Sequence, residues 1–269
     1  MDTSNEIHAA NAFNRQAALF DEMYSGDTII QYKRDRVRKH VQHFLKPGSH
    51  ILELNAGTGE DAVFFAGHGH TIHATDISEA MQEQLQKKVN ARGLNEKITN
   101  EVCSFTSLEN LKTTALYDHV FSNFAGLNCT DRLDKVLHSL SPLLKENGMV
   151  TLVVLPKFCL WEFLLLFRGK IKTALRRFAG KKGARSHIEG EYFRCWYYNP
   201  SFIKKQLAKD FEVVLLEGLC TLVPPSYIEG FAEKRRGLYS FLCRMENRLR
   251  FAMPWRSIGD YYIISLRKK

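Results

Sequence analysis

The sequence contains no long apolar run, no closely spaced pair of cysteines and no N-terminal export signal. Its longest apolar stretch, Phe163–Phe167, is far shorter than the ~20 residues that a membrane-spanning helix requires. The six cysteines are scattered, with no CxxC pair and no adjacent histidine cluster, which argues against a zinc site and a disulfide framework. The segment MDTSNEIHAANAFNRQ lacks the basic start and apolar centre of a signal peptide. These absences predict a cytoplasmic protein with reduced thiols and no bound metal.

Acidic residues are scarce in the second half of the chain. Residues 1–150 carry 15 lysines and arginines against 19 acids, whereas residues 151–269 carry 23 against 10. The net charges of the two halves are therefore −4 and +13. This asymmetry is consistent with a phosphorylated or carboxylate substrate, an anionic membrane surface or RNA, and also with a cationic surface that is only solvated.

Apolar strands alternate with amphipathic helices from residue 50 onward. This alternation predicts a doubly wound, Rossmann-like α/β fold with a mostly parallel seven-stranded sheet and helices on both faces. Predicted helices lie at residues 6–23, 28–45, 59–67, 78–92, 130–145 and 200–208. Predicted strands lie at residues 50–54, 71–75, 98–102, 117–122, 148–155, 211–216 and 260–266.

Two insertions interrupt this alternation after residue 155. We interpret residues 1–269 as a single domain with an N-terminal helical cap at 1–46 and a cofactor-binding core at 47–155. The first insertion, 156–199, is predicted to be a helical lid over the substrate, and the second insertion spans 218–259.

Residues 160–178 of the first insertion have apolar residues at helical spacing along one side and basic residues along the other. Eight basic residues and no acid lie between Arg168 and Arg185. We interpret the segment as a lid that packs its apolar side over the substrate. An interfacial helix attracted to anionic lipid and a helix packed on the core remain alternatives.

The stretch ILELNAGTGEDA, residues 51–62, joins an apolar strand to a helix through two glycines that are one residue apart. Gly57 and Gly59 lack a Cβ atom, so the backbone there can adopt a positive φ and approach a ligand closely. The free N–H groups at the start of the next helix favour an anionic or electron-rich group. The following strand ends in Asp76, where a carboxylate can accept both hydroxyls of a ribose. The turn therefore predicts a nucleotide-like ligand.

An acid inside the first strand distinguishes this turn from a dinucleotide-binding turn. GTGEDA fits the loose pattern GxGxx(G/A), but Glu53 occupies a strand position that dinucleotide-binding folds normally keep apolar. The arrangement E-x-x-x-G-x-G from Glu53 to Gly59, with Asp76-Ile77 ending the second strand, resembles the first motifs of class I S-adenosylmethionine-dependent methyltransferases. The resemblance covers residues 45–155. It implies an enzyme that uses S-adenosylmethionine and releases S-adenosylhomocysteine.

The resemblance also implies which residues hold the cofactor. In that family the turn wraps the methionine part, the strand acid reaches the amino group, and the acid after the second strand holds the ribose. Segments after the second and third strands line the adenine, and residues after the fourth strand lie beside the reacting sulfonium. The matching residues here are Glu53, Asn55, Ala56, Gly57 and Gly59, then Asp76, Ile77 and Met81, then Cys103, Ser104 and Phe105, and finally Asn123 and Phe124.

The reaction that the resemblance implies needs few catalytic groups. Methyl transfer from a sulfonium is an in-line displacement, for which the protein supplies alignment, a dry site and in some enzymes a base. The fourth strand ends in SNFAGLN, without the Asn/Asp-Pro-Pro-aromatic motif of amino-directed nucleic-acid methyltransferases, and no carboxylate cluster indicates a metal site. The prediction is methyl transfer to an O, C or N atom of a small lipophilic or anionic metabolite.

Two other functions stay open at this point. The first is an RNA-modifying methyltransferase, although the chain shows no appended RNA-binding module, which disfavours nucleic acid as a partner. The second is a non-catalytic, membrane-associated protein that binds the cofactor without turnover.

An aromatic cluster follows the predicted lid, in the stretch HIEGEYFRCWYYNPS. We interpret it as the lining of a pocket for an aromatic or isoprenoid-like substrate, as a cage that holds the sulfonium by cation–π attraction, or as a packed strand. His187, Tyr192 and Tyr198 flank this predicted pocket and are the candidates for a general base.

Overall fold

The strands form one large sheet and one small hairpin. The computed structural model describes residues 4–113 and 115–269. Its strands are β1 (His50–Leu54), β2 (Thr71–Asp76), β3 (Ile98–Val102), β4 (Tyr117–Ser122), β5 (Leu144–Val154), β6 (Ala184–Ile188), β7 (Glu191–Cys195), β8 (Phe211–Leu219) and β9 (Tyr261–Lys268). Seven strands form the sheet, in the order β3-β2-β1-β4-β5-β9-β8, and β6 pairs with β7 in the hairpin.

Helices cover both faces of the large sheet and build most of the two insertions. They are α1 (Ser4–Gln16), α2 (Phe20–Ser25), α3 (Thr28–Gln42), α4 (Glu60–Gly67), α5 (Glu79–Ala91), α6 (Leu133–His138), α7 (Leu160–Leu164), α8 (Ile171–Leu175), α9 (Pro200–Leu207), α10 (Phe231–Lys234) and α11 (Arg236–Leu249). Among the residues that the structure describes, no helix combines the length and the apolar composition needed to cross a bilayer.

The sheet is parallel from β3 to β5, and the strand order reverses between β1 and β4. The last strand, β9, lies antiparallel between β5 and β8. All seven predicted strands lie in this sheet, so the predicted fold class is confirmed. In an open α/β sheet the crevice beside such a reversal, at the carboxyl ends of the strands, is where ligands bind.

The central strands are buried on both faces, as a parallel sheet between helices requires. In β1, Leu52 and Leu54 pack into the apolar cluster on one face, with Leu127 and Leu152. Ile51 points to the opposite cluster. This double burial explains why the strands read as nearly continuous apolar runs in the sequence, and it makes the acid Glu53 in β1 an exception.

Two predicted helices are wrong in extent. The helix expected at 6–23 is interrupted, since α1 ends at Gln16 and α2 begins at Phe20, and the break lets each half contact a different loop of the core. The helix expected at 130–145 is reduced to α6, because Ser141–Leu143 form a 3₁₀ turn that contains Pro142. The chain then enters β5 at Leu144, which already pairs with Tyr117.

The first insertion is not one continuous helix. Gly169 adopts a left-handed conformation with φ of 71° and separates α7 and its 3₁₀ extension from α8. Behind these helices, the buried Arg177 donates hydrogen bonds to the carboxylates of Glu162 and Asp260, at 2.7 Å each, and to two backbone carbonyl groups. This buried ion pair anchors the insertion to the segment that leads into β9.

The second insertion is anchored by a buried carboxylate on α11. Glu246 accepts hydrogen bonds from the backbone N–H groups of residues 220–223, at 2.8–2.9 Å, and from the hydroxyl of Tyr32 on α3. A single side chain therefore satisfies four consecutive N–H groups that the turn after β8 leaves without a strand partner.

Candidate functional site

The glycine turn lies at the carboxyl end of β1, next to the point where the strand order reverses. Asn55, Gly57 and Gly59 all adopt positive φ, of 48°, 56° and 76°. The Ala56 N–H bonds the carbonyl of Thr75 in β2, and the Gly59 N–H bonds the carbonyl of Ala56, so the turn is tight. This conformation explains the residue types, because glycine and asparagine tolerate the left-handed region better than other residues.

The two glycines have different surroundings. A Cβ atom built on Gly59 would lie 2.0 Å from Cδ1 of Leu85, a fully buried residue of α5. A Cβ atom built on Gly57 would have no neighbour within 4 Å. Gly59 is therefore required for helix packing, whereas Gly57 borders open space where a ligand can approach the backbone.

That open space belongs to a cavity with an empty volume of about 890 Å³, including the part that opens to solvent. Ten of the thirteen residues predicted to hold the cofactor line it, and they come from the ends of β1, β2 and β4, from the loop after β3 and from the first turn of α5. These ten are Glu53, Asn55, Ala56, Gly57, Asp76, Ile77, Met81, Phe105, Asn123 and Phe124.

Three of the predicted cofactor residues do not line the cavity. Gly59 packs against Leu85, as described above. Cys103 is buried in the main apolar cluster. Ser104 turns its hydroxyl toward α1, where it donates a hydrogen bond to Glu6 at 2.7 Å. Of the residues predicted to line the adenine, Ile77, Met81 and Phe105 therefore border the cavity, whereas Cys103 and Ser104 do not.

Glu53 is the most unusual group in the cavity. Only 3% of the residue is exposed, and its Oε2 atom has no hydrogen-bond partner among the residues that the structure describes. Burial raises the pKa of this carboxyl well above its ordinary value, and the nearby Asp61 raises it further, against the opposing effect of Arg38 and Arg34. An unpartnered buried carboxylate oxygen that borders a cavity fits a ligand with a cationic hydrogen-bond donor, such as the ammonium group of the predicted cofactor.

Asp76 connects the end of β2 to the glycine turn. Its Oδ2 accepts the Gly57 N–H and its Oδ1 accepts the Ser78 N–H, both at 2.9 Å. Burial raises the pKa of this carboxyl, and the two N–H donors partly offset that effect. Each carboxylate oxygen keeps a further lone pair, so the group can hold the turn and still accept hydroxyl groups from a ligand.

The N-terminal helices form the cover of the cavity, a role that the sequence analysis assigned to the first insertion. Glu6, Ala9, Ala10 and Phe13 of α1 and Phe20 of α2 all line the cavity. No residue of 156–199 is among the described residues that line it. The predicted lid at 156–199 is thus not over this cavity, because its buried ion pairs hold it beside the start of β9.

Polar contacts attach this cap to the three loops around the site. Glu6 accepts hydrogen bonds from Ser104 and Thr106, at 2.7 Å each. Asn14 accepts one from Ser78 at 2.6 Å, and Asp21 accepts one from Thr58 at 2.6 Å. These cap residues had no motif in the sequence, and the one available signal was the amphipathic pattern of the first helix.

The three candidates for a general base lie outside the cavity. His187 and Tyr192 face each other across the β6–β7 hairpin, with ring centroids 4.4 Å apart, and Tyr192 is 51% exposed. Tyr198 is buried, and its hydroxyl donates to the Thr130 carbonyl at 2.7 Å, while burial raises its pKa. None of the three borders this cavity, since the aromatic stretch forms a packed strand and part of the core.

Charged residues that the motif did not indicate also surround the cavity. Asp61 accepts hydrogen bonds from Arg38 and Asn123, at 2.7 Å each. Arg34 of α3 lines the cavity with a side chain that is 9% exposed, and its Nε has no partner among the described residues. Its guanidinium lies 3.7 Å from Glu60 and 5.5 Å from the ring centroid of Phe124.

Substituting Glu53 with glutamine is expected to stabilise the free protein and to weaken the binding of the ligand. Because the pKa of Glu53 is higher in the folded protein than in the unfolded chain, this group contributes stability at low pH. That stability is fully present below the pKa of the unfolded chain, about 4.3, and is lost as pH rises through the pKa of the folded protein. We therefore expect Glu53→Gln to raise the free energy of unfolding by ~1 kcal/mol or more at pH 8, with no gain near pH 4. Urea unfolding at the two pH values measures this.

The same variant separates the amino-acid part of the ligand from the nucleoside part. Glu53→Gln should weaken the binding of S-adenosylhomocysteine, which carries an ammonium group, by about tenfold. Methylthioadenosine, which lacks the amino-acid part, should bind as it does to the unmodified protein. Equal losses for both ligands would place Glu53 elsewhere in the site.

Removing the Glu6 carboxylate is expected to loosen the cap. Glu6→Ala deletes the acceptor of the Ser104 and Thr106 hydroxyls, so we expect about fivefold weaker binding of S-adenosylhomocysteine and faster dissociation. Glu22→Ala, on the exposed side of α2, is the matched control. Stopped-flow dissociation rates test this, and a loss shared by the control would show only that the helices are generally sensitive.

Part of the chain around the site matches known proteins in sequence. A family profile described as a methyltransferase domain matches residues 51–148. The ubiquinone/menaquinone biosynthesis C-methyltransferase UbiE of Zymomonas mobilis is 30% identical over 144 residues, which cover 51% of this chain and 55% of that enzyme. The chain thus matches little more than half the length of this relative.

Solved structures share the fold over nearly the whole chain. The [4+2]-cyclase SpnF superposes with a TM-score of 0.62 at 16% identity, covering 97% of this chain and 94% of its own. The 1,6-didemethyltoxoflavin-N1-methyltransferase of Burkholderia thailandensis, solved with bound 1,6-didemethyltoxoflavin and S-adenosylhomocysteine, has a TM-score of 0.56 at 14% identity, with coverages of 98% of this chain and 88% of its own.

Proposed function

We propose that residues 51–148, which match a family profile described as a methyltransferase domain, form a class I S-adenosylmethionine-dependent methyltransferase domain, and that the protein methylates a small lipophilic or anionic metabolite. The observation that carries the proposal is that one cavity brings together polar atoms and open space that suit a bound ligand. A buried carboxylate oxygen of Glu53 lacks a partner, Gly57 borders open space, and Asp76 presents spare lone pairs.

The residues fit the cofactor part by part. Glu53 is the acceptor for the ammonium group, and Asp76 is the acceptor for the ribose hydroxyls. Ile77, Met81 and Phe105 provide apolar surface for the adenine. Asn123 and Phe124 border the cavity where β4 ends, on the side of the reacting centre. The cofactor supplies a methyl group on a positively charged sulfur, and the protein supplies alignment and a dry surrounding.

The aromatic rings of the cap support an apolar substrate. Phe13 and Phe20 of the N-terminal helices and Phe124 of the core all border the cavity, so closure of the cap excludes water from the reacting atoms. Arg34 adds a cation with an unpartnered Nε beside these rings. This combination favours a substrate with an apolar body and an acidic group.

No histidine or tyrosine lines the cavity among the described residues. Proton removal therefore falls to a carboxylate or is not required, as with an acceptor atom that is already nucleophilic in its ionised form. Of the carboxylates that border the cavity, Asp61 is held by Arg38 and Asn123. Glu53 is assigned to the ammonium group of the cofactor, so neither of these two carboxylates is offered as the base.

Calorimetry with S-adenosylmethionine and S-adenosylhomocysteine tests the proposal first. We expect one molecule to bind per chain, and no binding of either compound would overturn it. Transfer of a labelled methyl group to extracted apolar and acidic metabolites then tests turnover. Binding without transfer would favour the non-catalytic alternative, which matters because one protein with this fold, SpnF, is named for a cyclization.

The RNA-modifying alternative can be tested with the same preparation. RNA binding driven by the +13 half would depend steeply on salt concentration. Absence of RNA retention at ~50 mM salt would remove this alternative. Retention together with methyl transfer to RNA would replace the small-molecule proposal.

A further inference from the structure

The first insertion exposes an unusual number of large apolar side chains. Phe167 is 81% exposed, and Ile171, Leu175 and Phe178 are each more than half exposed. Phe163 and Leu164 are about 40% exposed beside them. Single exposed apolar residues are common on soluble proteins, but a contiguous group marks an interaction site. We call the outward side of residues 163–178 the basic apolar face.

The protein's own contacts hold this face outward. Ala174 and Arg177 of the same segment are buried, and Arg177 is fixed by Glu162 and Asp260. Turning the apolar side chains inward would expose this ion-paired arginine or leave the two acids buried without a cation, which is strongly unfavourable. The exposure is therefore a stable property of the fold.

Cations surround the same apolar side chains. Between Arg168 and Arg185 the chain has eight basic residues and no acid, and Arg176 and Arg177 form ion pairs with the buried acids Glu162 and Asp260. The remaining cations near the face are exposed, and none of them forms an ion pair with a described residue: Arg168, Lys170, Lys172, Lys181 and Lys182. The face therefore offers apolar contact and positive charge together.

The insertion that carries the face leaves the sheet at the same edge that holds the cavity. The insertion leaves the sheet at the carboxyl end of β5, and the Leu160 N–H bonds the Ile258 carbonyl just before β9. Asp260, which binds Arg177, is also 4.0 Å from Lys33, and Lys33 lies 5.9 Å from the ring centroid of Phe124 in the cavity. A short chain of contacts thus joins the face to the site.

We propose that the basic apolar face docks this protein on the surface of an anionic lipid bilayer. Apolar side chains of this kind enter the boundary between head groups and acyl chains, and surrounding lysines and arginines interact with anionic head groups. A second copy of the chain would place two cationic faces against each other. A nucleic acid would meet the cations but leave the aromatic and aliphatic side chains in water.

Vesicle sedimentation with the full chain tests the proposal. One preparation of vesicles contains phosphatidylcholine alone, and the other contains phosphatidylcholine with about one third phosphatidylserine. We expect binding to the anionic vesicles, and at least about tenfold weaker binding to the neutral ones or at ~0.5 M salt. No binding, or equal binding to both preparations, overturns the proposal.

Two variants and one control locate the contact. Phe167→Ser with Ile171→Ser removes apolar side chains, and Lys170→Glu with Lys172→Glu reverses two exposed charges; each is expected to reduce the partition coefficient about tenfold or more. Lys205→Glu with Lys209→Glu makes the same change of charge at exposed positions near α9 and should have less than a twofold effect. An equal loss of vesicle binding in the control would show that binding depends only on the net charge of the protein and would contradict a specific contact at the basic apolar face.

Three further measurements separate this proposal from its alternatives. S-adenosylhomocysteine binding should be unchanged in all three variants, so failure of the proposed function and failure of membrane docking are distinguishable. Thermal unfolding verifies that each variant is folded. Sedimentation equilibrium and RNA filter binding identify the other occupants, because a concentration-dependent dimer or an RNA complex lost in the face variants would overturn the lipid assignment.

Discussion

Replacing Asp76 with alanine is expected to weaken the binding of S-adenosylhomocysteine about a hundredfold, since hydrogen bonds to a charged group contribute roughly 1.5–3 kcal/mol each. The variant removes the proposed acceptor for the ribose hydroxyls and releases the Gly57 N–H, so the glycine turn keeps only the bond from the Ala56 N–H to the Thr75 carbonyl as its tie to β2. Methylthioadenosine should lose as much affinity as S-adenosylhomocysteine, because both contain the ribose. This shared loss contrasts with the selective loss expected for Glu53→Gln.

Asp118→Ala provides a matched control for this prediction. Asp118 in β4 also accepts a backbone N–H, from His50 at 2.8 Å, and it pairs with Lys145 away from the cavity. We expect its affinity for the ligand to stay within about twofold of the unmodified protein. Calorimetry measures the affinities, and circular dichroism shows that both variants are folded. A folded Asp76→Ala protein with unchanged affinity would contradict the assignment of this carboxylate.

The second large effect is expected at Gly59. A non-glycine residue there adopts φ near 76° against a cost of ~1–2 kcal/mol, and its Cβ atom would lie 2.0 Å from Cδ1 of Leu85. Overpacking of a buried site adds ~1–3 kcal/mol. Gly59→Ala should therefore lower the free energy of unfolding by ~3 kcal/mol, whereas Gly57→Ala, which meets no neighbour, should lower it by ~1 kcal/mol. Urea unfolding curves measure both values.

A double variant and a binding measurement check the cause. Leu85→Ala removes the clashing carbon atoms, so Gly59→Ala with Leu85→Ala should be less destabilised than the sum of the single variants. Gly57→Ala should instead reduce the affinity for S-adenosylhomocysteine by about tenfold, because its methyl group borders the cavity. Equal stabilities for the two glycine variants would disprove the different roles assigned to them.

The cofactor half of the site could be predicted because its information is local. The acid Glu53, the two glycines and Asp76 lie within two consecutive strand–turn units, and parallel strands bring their carboxyl ends to one edge. Ser104 is one of the three exceptions, since its hydroxyl turns to Glu6, 98 residues earlier in the chain. No local pattern encodes that partner.

The cover of the site could not be predicted for the same physical reason. Phe13 and Phe20 read as ordinary apolar positions of an amphipathic helix, and nothing nearby shows which loop they approach. Residues 160–178 have the composition of a lid, yet Arg177 holds them away from the cavity through its ion pairs with Glu162 and Asp260. Asp260 is 83 residues away from Arg177 in the sequence. Partners at such separations are chosen by packing of the whole chain.

The sequence by itself determined the sheet, the glycine turn and the identity of the carboxylates, because strand periodicity, positive φ at glycine and the buried acid in β1 act over a few residues. The tertiary structure decided which helices cover the cavity, why Tyr198 is a core residue and which apolar side chains remain outside. These outcomes depend on where buried charges find partners, and an unpaired buried charge costs more than any local preference for helix or strand.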